Sequence, residues 1–171
     1  GDYFENMEYQ LFHPGHMIDN TDCSYKTLFE FVKANRLPKL MLEFEPFFSY
    51  QERLVFPMTT VDSWVKFKQK TQCEIVLDTA HCFITANAMR YNFYTYFEAL
   101  TEALNPKIIH LSTTDLTDGG INDKHLPFKQ GVIDFKRLKS CFANRVLVIE
   151  VNDVSSADIS YVNSLCEMVT T

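Results

Sequence analysis

The stretch Glu74-Ile75-Val76-Leu77-Asp78-Thr79-Ala80-His81 decides the fold. Three β-favouring apolar residues in a row, bounded by polar ones, read as a short strand. The strand ends in a carboxylate, and an imidazole follows three residues later. Four other apolar runs repeat the arrangement: Leu11-Phe12 leads into His13, Leu40-Met41-Leu42 into Glu43, Ile108-Ile109 into His110, and Val146 through Ile149 into Glu150. Helical patterns separate the runs. Ser24 opens a segment with Leu28, Phe29, Phe31 and Val32 on its buried side, and Leu37-Pro38-Lys39 breaks it. Thr60 caps a helix running to about Lys70, with Val61, Trp64, Val65 and Lys68 near one face. Phe93, Phe97, Leu100 and Leu104 form one stripe of a helix over 91–104. Asp134 caps a short helix bearing Phe135, Leu138 and Phe142, and Ser155 or Ser156 opens the last one.

Strands alternating with helices predict a parallel sheet with helices packed outside it. In a (β/α) barrel the chemistry lies at the C-terminal ends of the strands, which is where these carboxylates and imidazoles fall. The reading is an α/β fold of about five strands and five helices in a single domain over residues 1–171. A complete TIM barrel takes eight strands and about 250 residues. The chain is therefore expected to form an incomplete barrel lacking the first strands, or an open α/β sheet. The exposed edge of an open barrel predicts self-association into a homo-oligomer.

A chain of 171 residues, 46% hydrophobic, has material for one substantial core. The formal net charge of -6 argues against a surface devoted to polyanions, without excluding a local basic groove. Lys66, Lys68 and Lys70 are expected on a solvated helix face. Cys23, Cys73, Cys82, Cys141 and Cys166 are odd in number and lack a CxxC spacing, which fits reduced thiols in a reducing compartment. No stretch approaches the roughly 20 apolar residues of a membrane span. The expectation is a cytoplasmic protein without a membrane partner. The absence of a GxSxG elbow and of Gly-rich phosphate loops argues against serine hydrolysis and nucleotide binding.

What remains points to a metal. Asp78 and His81 can face one site at the strand rim, supplying hard and borderline ligands that suit Mn, Co, Zn or Mg. The plainer role for Asp78 is to cap the next helix. In His13-Pro14-Gly15-His16 the Pro-Gly step turns the chain, and His13 is preferred to His16 because it adjoins the strand. Glu43 and Glu45 alternate with Phe44 and share a face if the strand continues. A glutamate ending an apolar strand is costly to bury unpaired, and Glu150 follows the same logic. The polar loop over 112–131 carries Asp115, Asp118, Asp123 and His125, with Asp123 and His125 two residues apart and able to face the same way.

In this order, HPG (13–15), LE (42–43), LDTAH (77–81), IIHL (108–111), NDKHLPFKQGVIDF (122–135) and VIE (148–150), the sequence resembles the xylose isomerase-like TIM barrels. That superfamily groups sugar (phosphate) isomerases and epimerases with the endonuclease IV type of apurinic-site nuclease (AP endonuclease family 2). The resemblance implies the six C-terminal strands of the barrel, with an additional strand near Gly131 to Ile133. It implies that Glu43, Asp78, His110 and Glu150 form the four-ligand metal site of the isomerase branch. His13, His81, Asp123 and His125 match further ligands that the nuclease branch uses for a trinuclear zinc cluster. Two positions depart from the pattern: Lys129 replaces a glycine, and Phe44 stands where an asparagine often follows the glutamate.

Two activities follow from the resemblance. The first is an isomerase or epimerase of a small sugar-like polyhydroxy carbonyl compound. In it a divalent ion (Mn, Zn, Co or Mg) acts as a Lewis acid, and Glu43 and Glu150 move the proton beside the carbonyl. The alternative is a zinc-dependent endonuclease acting on abasic DNA. A binding protein with a vestigial site fits less well, because so many ligand types are present.

Overall fold

The computed structural model of the protein describes residues 10–13, 22–34, 40–49, 54–56 and 58–170. Tyr9, the Pro14–His16 turn, the break at 37–39, and residues 50–53 and 57 of the loop after the second strand lie outside the described residues.

In chain order the strands are β1 (Gln10–Phe12), β2 (Leu40–Glu43), β3 (Phe48–Ser49), β4 (Leu54–Val55), β5 (Glu74–Asp78), β6 (Ile108–Leu111) and β7 (Val146–Ile149). The helices are α1 (Asp22–Ala34), α2 (Val61–Thr71), α3 (Thr79–Met89), α4 (Phe93–Leu104), α5 (Lys139–Phe142) and α6 (Ser156–Thr170). Five strands form a parallel sheet in the order β1-β2-β5-β6-β7, while β3 and β4 make a small antiparallel hairpin after β2. All five strands read from the apolar runs are present.

Strand alternation divides the side chains between two faces. Leu42, Phe44, Ile75, Leu77, Ile109 and Leu111 join the helix residues Leu28, Trp64, Phe67, Phe97, Leu100 and Leu165 in one core. On the other face are Met41, Glu43, Val76, Asp78 and His110, also buried but outside that cluster. The chemistry-bearing residues thus share the face away from the helix-side core with a few apolar neighbours. At the centre of the helix-side core, Trp64 is stacked between Phe44 (4.8 Å) and Phe56 (5.6 Å) and donates its indole N–H to the Met58 carbonyl at 2.9 Å.

Local signals explain the helix ends. Thr60 and Ser63 form a capping box at the start of α2, and Asp78 and Asn92 cap α3 and α4. Helix α3 escapes the sequence reading because Thr79 to Cys82 and Ile84 to Ala86 are all buried, so no polar face marks its period. The strand expected near Gly131 to Ile133 is not formed, and the sheet has five strands rather than six among the described residues. β6 pairs directly with β7, Ile108 with Val146, which leaves no slot between them. Instead Gly131 lies so close to Thr113 that a Cβ would meet its Oγ1 at 2.0 Å, and Ile133 enters the helix-side core. Two further expectations change. Lys68 is only partly solvated and bonds to Glu74 (2.9 Å) and to the Leu104 carbonyl (2.6 Å). Phe31 faces outward, stacked on Phe12 at 4.9 Å.

No helix among the described residues is long and apolar enough to cross a membrane. Phe67 is fully buried and packs edge-to-face on Trp64 at 6.2 Å. Phe67→Ala is expected to cost about 3–5 kcal/mol, as large-to-small changes in packed cores do. Urea unfolding followed by far-ultraviolet circular dichroism checks this; a loss below about 1 kcal/mol would mean a looser core.

Candidate metal centre

The C-terminal ends of β1, β2, β5, β6 and β7 bring their terminal polar residues to one place, and the loop after β6 adds two more. Glu43, Asp78, His110 and Glu150 each offer a ligand atom within 4.8 Å of the others. His81, Asp123 and His125 make a second set under the same limit. His13 lies beside the first set, its Nε2 3.3 Å from Glu43 Oε2.

The two sets adjoin through Glu43 and Asp78. Glu43 Oε1 is 3.3 Å from His110 Nδ1 and 3.5 Å from His81 Nδ1. Asp78 caps α3, accepting the His81 N–H at 2.8 Å, and also faces the site. Capping and site-facing, weighed as alternatives from the sequence, therefore coexist. The Ser112 hydroxyl lies 2.7 and 2.6 Å from the two Asp78 oxygens and accepts from the Ala80 N–H at 3.1 Å. Ser112 has no signal in the sequence; only the parallel pairing of β5 with β6 places it there.

The histidine tautomers carry the chemistry. His81 Nδ1 donates to the Phe44 carbonyl and His125 Nδ1 to the Glu150 carbonyl, each at 2.8 Å. Both Nε2 atoms then converge on one oxygen, Asp123 Oδ2, at 2.9 Å from His81 and 2.8 Å from His125. Imidazoles with Nδ1–H tied to main-chain carbonyls and Nε2 aimed at a carboxylate are arranged as metal ligands are. His125 adopts the left-handed conformation (φ 46°), and the loop is pinned by Asn152, which donates to the Lys124 carbonyl at 3.1 Å and to the His125 carbonyl at 2.7 Å. Asp115 and Asp118 point elsewhere, paired with Lys124 at 2.8 and 3.0 Å. His16 lies outside the described residues.

A buried polar atom without a partner is rare and calls for an explanation. Among the described residues there are five such side-chain atoms: Glu43 Oε1 and Oε2, His110 Nδ1, Asp123 Oδ1 and Glu150 Oε2. Every one belongs to this centre. His110 Nδ1 and Glu150 Oε2 approach to 2.7 Å yet lack hydrogen-bond alignment, so the proximity is not a directed bond. Oxygen and nitrogen donors that meet without bonding one another fit divalent cations such as zinc, manganese or magnesium.

Without metal, the site is held together by protons. Burial acts to lower His110, but the Glu150 and Glu43 carboxylates outweigh it and hold the ring up at about 10. The hydrogen bond to Asp123 raises His125 to about 9. Burial acts to lower His81 too, and Asp78 and Asp123 outweigh it. Burial pushes Asp78 up to about 6, whereas Asp123, despite its burial, is drawn below the usual range by His125 and His81. A group whose folded value is raised gives stability that is full below its unfolded value and lost as pH climbs through the folded one. The metal-free protein is therefore expected to lose thermal stability between pH 6.5 and about 10, the window set by His125 and His110. Zinc-saturated protein should gain on metal-free protein over that window, because ligation takes neutral imidazole. Calorimetry in small pH steps tests both; a flat metal-free profile would contradict the assignment.

No protein-family profile matches the chain, and no curated protein matches its sequence. Solved structures do match. SacUVDE superposes with a TM-score of 0.58 at 14% identity, over 92% of this chain and 51% of that one. D-psicose 3-epimerase from Clostridium cellulolyticum H10, solved with D-tagatose, gives 0.56 at 10% identity, over 94% of this chain and 63% of that one. The chain thus spans about half of the first and less than two thirds of the second. At such identities the likeness is one of fold, and the fold is that of a TIM barrel, represented by five parallel strands among the described residues.

Proposed function

We propose that the chain carries the metal centre of a phosphodiester hydrolase of the endonuclease IV type, holding more than one divalent ion, with abasic DNA as the substrate to try first. The observation that carries this reading is the convergence of His81 and His125 Nε2 on Asp123 Oδ2. A one-ion isomerase needs Glu43, Asp78, His110 and Glu150 and leaves this second set without a task. His13 beside Glu43 is likewise surplus to one ion.

Glu43 would help to hold more than one ion, since its two oxygens face different partners: Oε2 faces His13, and Oε1 faces His110 and His81. Asp78, His110 and Glu150 would complete one position, His81, Asp123 and His125 another, and His13 a third. Divalent ions bound there supply Lewis-acid charge to a phosphodiester and its leaving oxygen and lower the pKa of water. Four ligand carboxylates, from Glu43, Asp78, Asp123 and Glu150, leave a three-ion site net positive and suited to an anionic substrate. The carboxylate of Glu150, half-buried and held below its ordinary pKa chiefly by His110, is ionised at neutral pH and so suited to holding a cation.

One observation favours the other reading, a sugar-like isomerase or epimerase. Glu43 and Glu150 come from strands on opposite sides of the β5-β6 pair yet meet at His110, as two carboxylates sharing one ion and one substrate carbon would. The fold of D-psicose 3-epimerase is consistent with it.

Elemental analysis of freshly purified protein, beside Asp78→Ala and Asp123→Ala, separates the two. The proposal expects two or three zinc ions per chain, fewer in either variant. It also expects cleavage of an abasic oligonucleotide that falls in both by more than the roughly 10–100-fold typical of outer-shell changes. One ion, lost in Asp78→Ala and kept in Asp123→Ala, together with turnover of a ketose and none of abasic DNA, would establish the epimerase instead.

A further inference from the structure

Glu45 belongs to neither ligand set, yet its carboxylate is buried beside the centre with 6% exposure. Its Oε1 accepts a hydrogen bond from His13 Nδ1 at 3.1 Å. The alternation past the end of β2 explains the placement: Phe44 turns into the helix-side core against Trp64, so Glu43 and Glu45 face the other way together. Parallel pairing of Phe12 with Leu42 sets the next residue, His13, level with Glu43. The ring of His13 is therefore spanned, with Nδ1 on Glu45 and Nε2 3.3 Å from the unpartnered Oε2 of Glu43.

The other two histidines with this orientation are held differently. His81 and His125 give Nδ1–H to main-chain carbonyls; His81 is buried and the His125 side chain is 26% exposed. His13 has a side chain 57% exposed, so packing does not fix its ring and the contact to Glu45 has to. We propose that Glu45 is a positioning residue: it holds the Nδ1–H of His13 so that Nε2 presents its lone pair to an ion shared with Glu43. This rests on the multi-ion reading above. A carboxylate in this role also makes the imidazole a stronger donor than a carbonyl would. Among the three histidines held through Nδ1, His13 is thereby governed by a side chain and the other two by main chain.

The test compares wild type, His13→Ala, Glu45→Ala and Glu45→Gln by competition for zinc against a chromophoric chelator. Long-range proton–nitrogen spectra of the histidine rings in zinc-loaded protein accompany it. His13→Ala should take up one zinc fewer than wild type. Glu45→Ala should weaken that same zinc roughly 10–100-fold and leave the others as they are. Glu45→Gln, whose amide oxygen still accepts from Nδ1–H, should recover part of the loss. The spectra should show His13 protonated at Nδ1 in wild type and Glu45→Gln, and a mixture of tautomers in Glu45→Ala. If wild type binds more than one zinc and Glu45→Ala matches it in affinity and tautomer, the role of Glu45 is overturned while the multi-ion reading stands. Equal loss of every zinc in both Glu45 variants would overturn it too, as a general packing effect. A wild type that binds a single zinc, retained in His13→Ala, overturns the multi-ion reading and the role of Glu45 with it.

Discussion

A carboxylate with no solvent exposure and no hydrogen bond to either oxygen is the constraint on which this centre depends. Glu43 stands at the end of β2, flanked in sequence by Leu42 and Phe44, both packed into the helix-side core. Water cannot reach it, and a buried charge without compensation is among the most costly features a fold can hold. Three imidazoles gather around it, His13, His81 and His110, all within 3.5 Å. Protons on those rings or cations between them can balance it. The second carboxylate set, around Asp123, reaches the first through His81. Charge compensation, rather than apolar contact, therefore knits the rim of the sheet together, while the helices are held by the aromatic core beneath.

Phe44 joins the two halves. Its side chain stacks on Trp64 in the helix-side core, and its carbonyl fixes the tautomer of His81. By the resemblance, Phe44 stands where an asparagine often follows the glutamate, which implies different support for Glu43. Here neither Glu43 oxygen takes a hydrogen bond, and what position 44 supplies is a main-chain carbonyl to His81. A carbonyl serves whatever side chain it carries, so the residue at 44 is left to packing. Glu150 repeats the arrangement, giving its side chain to one ligand set and its carbonyl to His125 of the other.

The strands and their terminal polar residues were legible in the sequence because two simple periods coincide. An apolar run marks each strand, and its last polar residue marks the rim, as at Leu77-Asp78 and Ile109-His110. Helix α3 was not legible, since a segment buried on all sides shows no stripe. The strand drawn from the resemblance near Gly131 to Ile133 failed for a reason that no local pattern carries, the direct pairing of β6 with β7. Ser112, which holds Asp78, and the carbonyls that set the histidine tautomers are matters of register between segments more than 24 residues apart. Glu45 lies between these cases: alternation put it on the face of Glu43, and the structure supplied its partner, His13.

Trp64 is the chain's single tryptophan, and its indole lies face to face with the ring of Phe44, one residue from Glu43. Any rearrangement at the rim that tugs on the Phe44 backbone is transmitted by one peptide unit to the stacked pair. The molecule thus carries an intrinsic optical reporter on the dry side of its own centre, in contact with the polar rim through the main chain and shielded from solvent.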